Sequence, residues 1–153
     1  MSDADPEITD ERSGVPSEPY VLEHQIGYIL RLASQRHAAI FQTHSPDGLT
    51  PRQFSVLVRI DEVGPCSQNH LGRLTAMDVA TIKGVVDRLS RKGLLTLEPD
   101  PQDKRRTVIR LTRSSKLMIK KLHAVGLQIS NETTAALSED ERHTLVRLLS
   151  KIS

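Results

Sequence analysis

Apolar residues recur three or four positions apart between residues 20 and 42, as they do on one face of a helix. The pattern predicts a first helix of about six turns. Such a helix is too long and too apolar to be covered by a small domain's own core, so part of it is expected to pack against a second copy of the chain. The segment Ser45-Pro46-Asp47-Gly48 is typical of a turn and ends this element.

The next three helices are indicated by the residues at their ends. Thr50-Pro51-Arg52-Gln53 has the composition of a capping box with proline at the first helical position, and this helix stops at Gly64-Pro65. Ser67 is placed to cap a short helix over residues 68–74. Asp78 is placed to cap a longer helix that runs to Lys92, because Gly93 favours the left-handed conformation of a helix C-terminus.

Two short extended segments, residues 94–98 and 107–111, follow this helix and flank a charged loop with Lys104-Arg105-Arg106 at its tip. Strand, loop and strand in this order predict a β-hairpin. Thr112 then caps a helix that runs to Leu137, and Ser138-Glu139-Asp140-Glu141 is a second capping box that opens the last helix. The predicted order is α-α-α-α-β-β-α-α, a mainly α chain with one small β wing.

The helix that begins after Asp78 has two contrasting faces. One face is apolar and must be buried, since its residues recur at helical spacing: Ile82, Val85, Val86 and Leu89. The opposite face begins with small residues and continues with cations: Ala80, Thr81, Lys83, Gly84, Asp87, Arg88 and Arg91. A slim helix start fits a major groove about 12 Å wide, and arginines on a neighbouring hairpin suit the narrow minor groove. These elements together predict a winged helix-turn-helix.

Residues 50–112 resemble the DNA-binding domain of the MarR family of bacterial transcriptional regulators. The resemblance is carried by Leu49-Thr50-Pro51-Arg52-Gln53-Phe54, Ser67-Gln68, Met77-Asp78-Val79-Ala80-Thr81, Val86-Asp87-Arg88-Leu89, Lys92-Gly93-Leu94, Asp100-Pro101-Gln102-Asp103-Lys104-Arg105 and Leu111-Thr112. It implies a homodimer formed through the terminal helices. We therefore divide the chain into a disordered acidic arm (1–19), an N-terminal dimerisation helix (20–45), a winged helix-turn-helix (46–112) and C-terminal dimerisation helices (113–153).

The resemblance implies that double-stranded DNA with a pseudo-palindromic operator sequence is the partner of this domain. The expected DNA-binding residues lie on the two helices of the motif and on the wing: Ser67, Gln68, Asn69, Ala80, Thr81, Lys83, Arg88, Asp103, Lys104, Arg105 and Arg106. In the family the wing acid pairs with the wing arginine, here Asp103 and Arg105, and orients it toward DNA. Gly84 departs from the larger polar or basic residue that the family often carries there. Arg88 could instead bond groups at the base of the wing, and Thr81 could bond its own helix.

Charge supports a polyanionic partner. Residues 1–19 carry six acids and one base, whereas the 39 residues from Lys83 to Lys121 carry twelve Lys and Arg and four Asp and Glu. Aromatic residues make up 3% of the chain, which argues against recognition of single strands by stacking. The absence of a long apolar run or a basic leader predicts a cytoplasmic protein with no membrane partner. A single cysteine excludes an internal disulfide.

A stripe on the first helix is a candidate effector site. His24, Tyr28 and Arg31 recur at helical spacing, and a cation beside two hydrogen-bonding rings suits an anionic or aromatic ligand such as an aromatic acid or its thioester. His37 and Phe54 are the other expected ligand-binding residues. Hydrogen bonding across the dimer interface is the alternative role of the stripe. The first helix is similar to that of family members that control the breakdown of aromatic acids, which predicts a repressor released by such a compound.

Three alternatives accompany this prediction. The basic face could dock an acidic protein, as in a winged-helix interaction module without specific DNA binding. A redox-responsive regulator would use Cys66, which has no second cysteine to resolve a sulfenic acid. A metal-responsive regulator would use the six histidines, whose spacing does not match a metal site. No catalytic motif is present, so neither an enzyme nor a cofactor is predicted.

Overall fold

The computed structural model describes residues 19–153, so the predicted acidic arm lies outside the described residues except for Pro19. These residues form six α-helices and one two-stranded antiparallel sheet: α1 (Ile26–His44), α2 (Pro51–Val63), α3 (Gln68–Leu74), α4 (Val79–Arg91), β1 (Leu95–Pro99), β2 (Thr107–Leu111), α5 (Arg113–Thr133) and α6 (Glu139–Leu149). Short 3-10 helices cover Leu22–His24 and Pro46–Gly48. The prediction of a mainly α winged helix-turn-helix is confirmed.

The chain divides into two compact units at Ala33 and Ser34, within α1. The described part of the first unit, residues 19–33, contains the first 3-10 helix and the start of α1. Large apolar side chains are exposed along it: Tyr20, Leu22, Ile26, Ile29, Leu30 and Leu32. None of the residues 20–33 of the single chain is buried.

The second unit has its core beneath the winged motif. Leu57 of α2, Leu71 of α3 and Leu122 of α5 are fully buried, and Ile109 places the sheet on the same cluster. The predicted apolar face of α4 is confirmed, because each of its four residues is at most 1% exposed. That burial presses α4 onto the core and leaves its opposite face in solvent.

The predicted helix caps are confirmed. The backbone N–H of Gln53 donates to Thr50 Oγ1 at 3.3 Å, and the N–H of Thr50 donates to Gln53 Oε1 at 3.1 Å. Ser138 and Glu141 form the second capping box in the same way. Ser67 Oγ accepts from the N–H of His70, and Gly93 has the left-handed φ of 71° expected after α4. Local hydrogen bonds therefore set most helix boundaries.

Several boundaries differ from the prediction. The first helix begins at Ile26 instead of residue 20, because Gln25 has extended backbone angles and its side-chain amide donates to the carbonyl of Val21. α5 ends at Thr133 instead of Leu137, where the N–H of Leu137 donates to the carbonyl three residues earlier in a tight turn. The first strand lies one residue later, at Leu95–Pro99.

Candidate nucleic-acid interface and effector cavity

The turn between α3 and α4 is compact because of Gly72. A Cβ at this position would lie 3.1 Å from the carbonyl oxygen of Met77, and the N–H of Met77 donates to the carbonyl of Gly72. Ala76 takes a positive φ of 52° between them. A side chain at Gly72 would force the two helices apart, so this glycine sets the angle at which α4 is presented.

Asp78 fixes the first turn of α4. Its Oδ1 accepts from the N–H of Thr81 at 2.7 Å, and this hydrogen bond lowers the pKa of the Asp78 carboxyl below its ordinary value. The carboxylate form that caps the helix is therefore the form present at neutral pH. The first turn of α4 is therefore fixed by a hydrogen bond from its cap residue, without a large side chain packed over it.

The outer face of α4 exposes Ala80 and leaves Thr81 half-buried. Lys83 Nζ pairs with Asp87 Oδ2 at 3.0 Å, so it would have to leave this partner to reach a phosphate. The guanidinium of Arg88 lies over Gly84, 3.5 Å from where a Cβ would stand. A Cβ at Gly84 would only touch this guanidinium at van der Waals distance, whereas a longer side chain would extend into the space that Arg88 occupies.

Sequence reasoning did not select Val79, although it is 68% exposed at the first position of α4. An exposed apolar side chain at a groove-facing helix start can contact a thymine methyl group. Helical spacing places Val79 in line with the buried stripe, three residues before Ile82 and seven before Val86, so the pattern gave no signal of its exposure.

One contact predicted for the wing tip is wrong. Asp103 was expected to pair with Arg105, but its Oδ2 lies 3.5 Å from Nε of Arg106 and its Oδ1 accepts from the backbone N–H of Arg105. The loop turns tightly here, since the N–H of Arg106 donates to the carbonyl of Asp103. This turn brings the third residue after the acid, and not the second, within reach of its carboxylate. Lys104 and Arg105 are exposed.

The start of α3 and the base of the wing face one groove of about 620 Å³. Three predicted DNA-binding residues line it, the cap Ser67 and the first two residues of α3, Gln68 and Asn69, together with Arg106 of the wing. The structure thus brings together residues that lie nearly 40 positions apart in the sequence.

Cys66 lies at the inner end of this region and is 8% exposed. Its backbone pairs with Ile109 through two hydrogen bonds, and burial raises the pKa of its thiol. A thiol is reactive in its deprotonated form, so both burial and the raised pKa oppose a redox role.

We expect Cys66 in the native protein to react with 5,5′-dithiobis(2-nitrobenzoate) at least tenfold more slowly than in the unfolded chain, since reagent access requires opening of the β2 contact. Absorbance of the released thiolate, with and without denaturant, measures both rates. Equal rates would restore the redox-responsive alternative.

A separate cavity of about 560 Å³ lies between the second half of α1, α2 and α5. Its wall is mostly apolar and holds two predicted ligand-binding residues, His37 and Phe54: His37, Phe41, Pro51, Phe54, Ser55, Val58, Leu122, His123, Gly126, Leu127, Ile129 and Ser130. The rings of Phe41 and Phe54 meet edge to face with centroids 5.6 Å apart. A Cβ on Gly126 would lie 3.1 Å from Phe54, so the absence of a side chain there keeps the space open.

The cavity is anchored by polar contacts between α1 and α5. His37 Nδ1 lies 3.0 Å from Thr133 Oγ1, and His44 Nε2 lies 2.5 Å from Glu132 Oε2. Its wall, which is built from residues 37–130, contains neither lysine nor arginine. Any recognition of a polar ligand in this space must therefore use imidazole, hydroxyl or backbone groups.

The predicted stripe of His24, Tyr28 and Arg31 lies in the first unit. The guanidinium of Arg31 stands 5.2 Å from the centroid of the Tyr28 ring, a cation–π contact within one helix. His24 is exposed at the end of the first 3-10 helix. The ligand-binding role of this stripe stays a prediction.

Residues 19–153 contain no group of three or more histidine, cysteine, aspartate or glutamate side chains able to hold a metal ion. None of their helices has the length and apolar character needed to cross a bilayer.

Comparison with known proteins gives a consistent result. The family model described as MarR family matches residues 47–106. The transcriptional repressor NicR of Pseudomonas putida is 38% identical over 145 residues, which make up 94% of this chain and 92% of NicR. A probable transcriptional regulator from Pseudomonas aeruginosa has a crystal structure with a TM-score of 0.83 and 47% identity, over 87% of this chain and 100% of that one. BpsR of Bordetella bronchiseptica, whose DNA binding is regulated by 6-hydroxynicotinic acid, gives a TM-score of 0.82 at 38% identity, over 88% of this chain and 97% of that one.

Proposed function

The chain belongs to the MarR family of transcriptional regulators, and we propose that it is a cytoplasmic homodimeric repressor that binds a pseudo-palindromic operator and is released by a small aromatic acid. The single observation that carries the DNA-binding part is that both the start of α4 and the basic wing tip are exposed. The first can enter a major groove and the second can reach the adjacent minor groove and its phosphates.

The dimer is supported by the apolar surface of the terminal helices. α6 exposes a series of large apolar residues, Leu145, Val146, Leu148 and Leu149, and Ile152 follows them. The exposed apolar side chains of residues 19–33 form a second such surface. A water-exposed monomer rarely leaves stripes of this kind uncovered, so a second copy of the chain is the occupant we assign to them.

We expect the protein to sediment with the mass of a dimer at micromolar concentration. Leu145→Glu combined with Leu149→Glu should shift it toward monomer, because two carboxylates per chain would have to be buried without partners. Lys151→Glu provides a control with a charge change on an exposed residue beyond α6. A folded wild-type monomer would contradict the proposed assembly.

Operator binding is tested with the promoter region next to the protein's own coding sequence. The labelled duplex should shift in a gel with excess nonspecific competitor. The bound sequence should contain two equivalent half-sites about one helical turn apart. Thr81→Ala should weaken this binding if the first turn of α4 enters the groove. A shift that competitor abolishes would instead favour an interaction module that uses the same basic face on an acidic protein.

The effector part rests on the cavity between α1, α2 and α5. Its volume of about 560 Å³ lies in the range of small-molecule sites, and its aromatic walls suit a flat ring. The likeness to BpsR, whose DNA binding 6-hydroxynicotinic acid regulates, supports an aromatic acid as the class of ligand.

A ligand in this cavity can act on the operator through α2 and α5. Both helices border the cavity, and both also contribute to the core on which α4 rests. To release the operator, the ligand must bind more tightly to a dimer whose recognition helices do not match the half-site spacing than to one whose helices do. The difference in binding free energy must be about 1.4 kcal/mol for each tenfold loss of operator affinity. Binding of the acid and of the operator must therefore oppose each other.

A further inference from the structure

The outer face of α4, opposite its buried stripe, has only small side chains at its centre. Ala80 and Gly84 lie four residues apart, and therefore one above the other along this face. A methyl group and a hydrogen atom offer neither a hydrogen-bond donor nor an acceptor. When this face enters a major groove, these two residues leave the hydrogen-bonding edges of the nearest base pairs without a partner.

The guanidinium of Arg88 occupies the space over Gly84. The position that a Cβ of Gly84 would take lies 3.5 Å from Nη2, 3.7 Å from Nη1 and 3.8 Å from Cζ of Arg88. The side chain therefore runs back along the helix by one turn, about 5.4 Å, and carries its charge toward the start of α4. In helix-turn-helix proteins the N-terminal part of the second helix is the part that contacts base edges.

Arg88 is exposed and forms no ion pair with a carboxylate of residues 19–153. Its neighbours differ in this respect. Lys83 Nζ lies 3.0 Å from Asp87 Oδ2, and two arginines of the hairpin pair with carboxylates of the same hairpin. Arg88 can therefore donate its N–H groups to DNA without leaving an acidic partner.

An arginine side chain and a guanine base match each other in the major groove. Guanine presents two acceptors there, O6 and N7, and no other base presents such a pair. A guanidinium donates two parallel N–H bonds in a fixed geometry, which fits these two acceptors. Because the guanidinium lies over the centre of the exposed face, the base edges are the acceptors nearest to it once that face lies in the groove.

We propose that Arg88 reads one guanine in each operator half-site, donating from its guanidinium to O6 and N7 through the space that Gly84 leaves open. This inference rests on the proposed binding of a duplex operator and specifies one base of its sequence. A contact with phosphate would strengthen binding to every sequence alike, whereas a contact with guanine discriminates between sequences. The two roles of Arg88 therefore differ in what they predict for modified operators.

The first test replaces guanines of the operator by 7-deazaguanine, which keeps its base pairing but lacks the N7 acceptor. One guanine at a time is replaced at the equivalent position of both half-sites, and fluorescence anisotropy measures the affinity of the full-length protein. We expect one position to lower the wild-type affinity by about tenfold or more, because two charge-assisted hydrogen bonds are lost per dimer. Tight operator binding without any such position would overturn the inference. Failure to bind the unmodified operator would instead remove the proposed function on which the inference rests.

Arg88→Ala assigns the sensitive guanine to its reader. The variant should bind the guanine and 7-deazaguanine operators with affinities that differ by less than about threefold, since the donor to N7 is absent. Arg91→Ala is the matched control, because it removes the same charge from an exposed residue at the end of α4 and should keep the full discrimination. Retained discrimination in Arg88→Ala, with a salt slope reduced by about 2 per dimer, would overturn the inference and assign Arg88 to phosphates.

Arg88→Lys separates the two-pronged hydrogen bonding from the charge. Lysine keeps the positive charge, so the dependence of affinity on salt should match that of the wild type, but a single ammonium group lacks the planar fork of the guanidinium. We expect the preference for the operator over a duplex with A·T in place of the sensitive G·C pair to fall by about fivefold or more in this variant. An unchanged preference in Arg88→Lys would overturn the proposed contact.

Discussion

Simultaneous replacement of Lys104, Arg105 and Arg106 by alanine will weaken operator binding by about a hundredfold or more at physiological salt. The substitutions remove three exposed cations from each wing and hence six from the dimer. Each lost phosphate contact flattens the plot of log affinity against log salt by about 0.9, so the slope should decrease by up to about 5. Fluorescence anisotropy of a labelled operator across a salt series measures both quantities.

A control with the same charge change distinguishes wing contacts from net charge. Lys120, Lys121 and Lys151 are also exposed, but they lie on or after the C-terminal helices. Their replacement by alanine should change operator affinity by less than about threefold, because screening weakens charges more than about 8 Å from the DNA. Equal losses in the two triple variants would contradict docking through the wing.

Local chemistry explains which parts of the fold could be predicted from the sequence. Thr50, Ser67 and Asp78 cap helices through contacts with residues three positions away, so the sequence pattern contains the whole interaction. The start of α1 was misplaced because the extended Gln25 interrupts an apolar pattern that continues on both sides of it. Periodicity reports which face is apolar and does not show where the backbone leaves the helix.

The candidate sites depended on contacts that the sequence does not display. The pairing of Asp103 with Arg106 follows from the backbone of a seven-residue loop, and neighbouring arginines gave no means of choosing between them. The cavity depends on Gly126 facing Phe54, and its histidine on Thr133, which lies 96 residues further along the chain. His37 and Phe54 could be proposed from residue type alone, whereas the partners that shape their site required the fold.

Filling the cavity from α5 will abolish the response to the effector while operator binding persists. In Gly126→Leu the new side chain must occupy the space against Phe54, where even a Cβ would lie at 3.1 Å. We expect the concentration of 6-hydroxynicotinate that releases half of the operator to rise by about a hundredfold or more, because the ring and the leucine compete for one volume. Operator affinity without ligand should change by less than about threefold, since the substitution alters no residue of α4 or of the wing. A larger loss would mean that the leucine itself displaces α2 or α5.

Ala124→Leu is the matched control, since it adds the same side chain to an exposed position of α5 that does not line the cavity. It should retain the wild-type response in an anisotropy assay of operator release.

Arg31→Ala decides between the two proposed effector sites. If the stripe of His24, Tyr28 and Arg31 meets the carboxylate, this variant loses the release of the operator by the effector but keeps operator binding and the dimer. Loss of dimer mass in Arg31→Ala would assign that stripe to the interface. An unchanged response in Gly126→Leu would show that the effector binds outside the cavity, because no ligand of that size can share the space with a leucine.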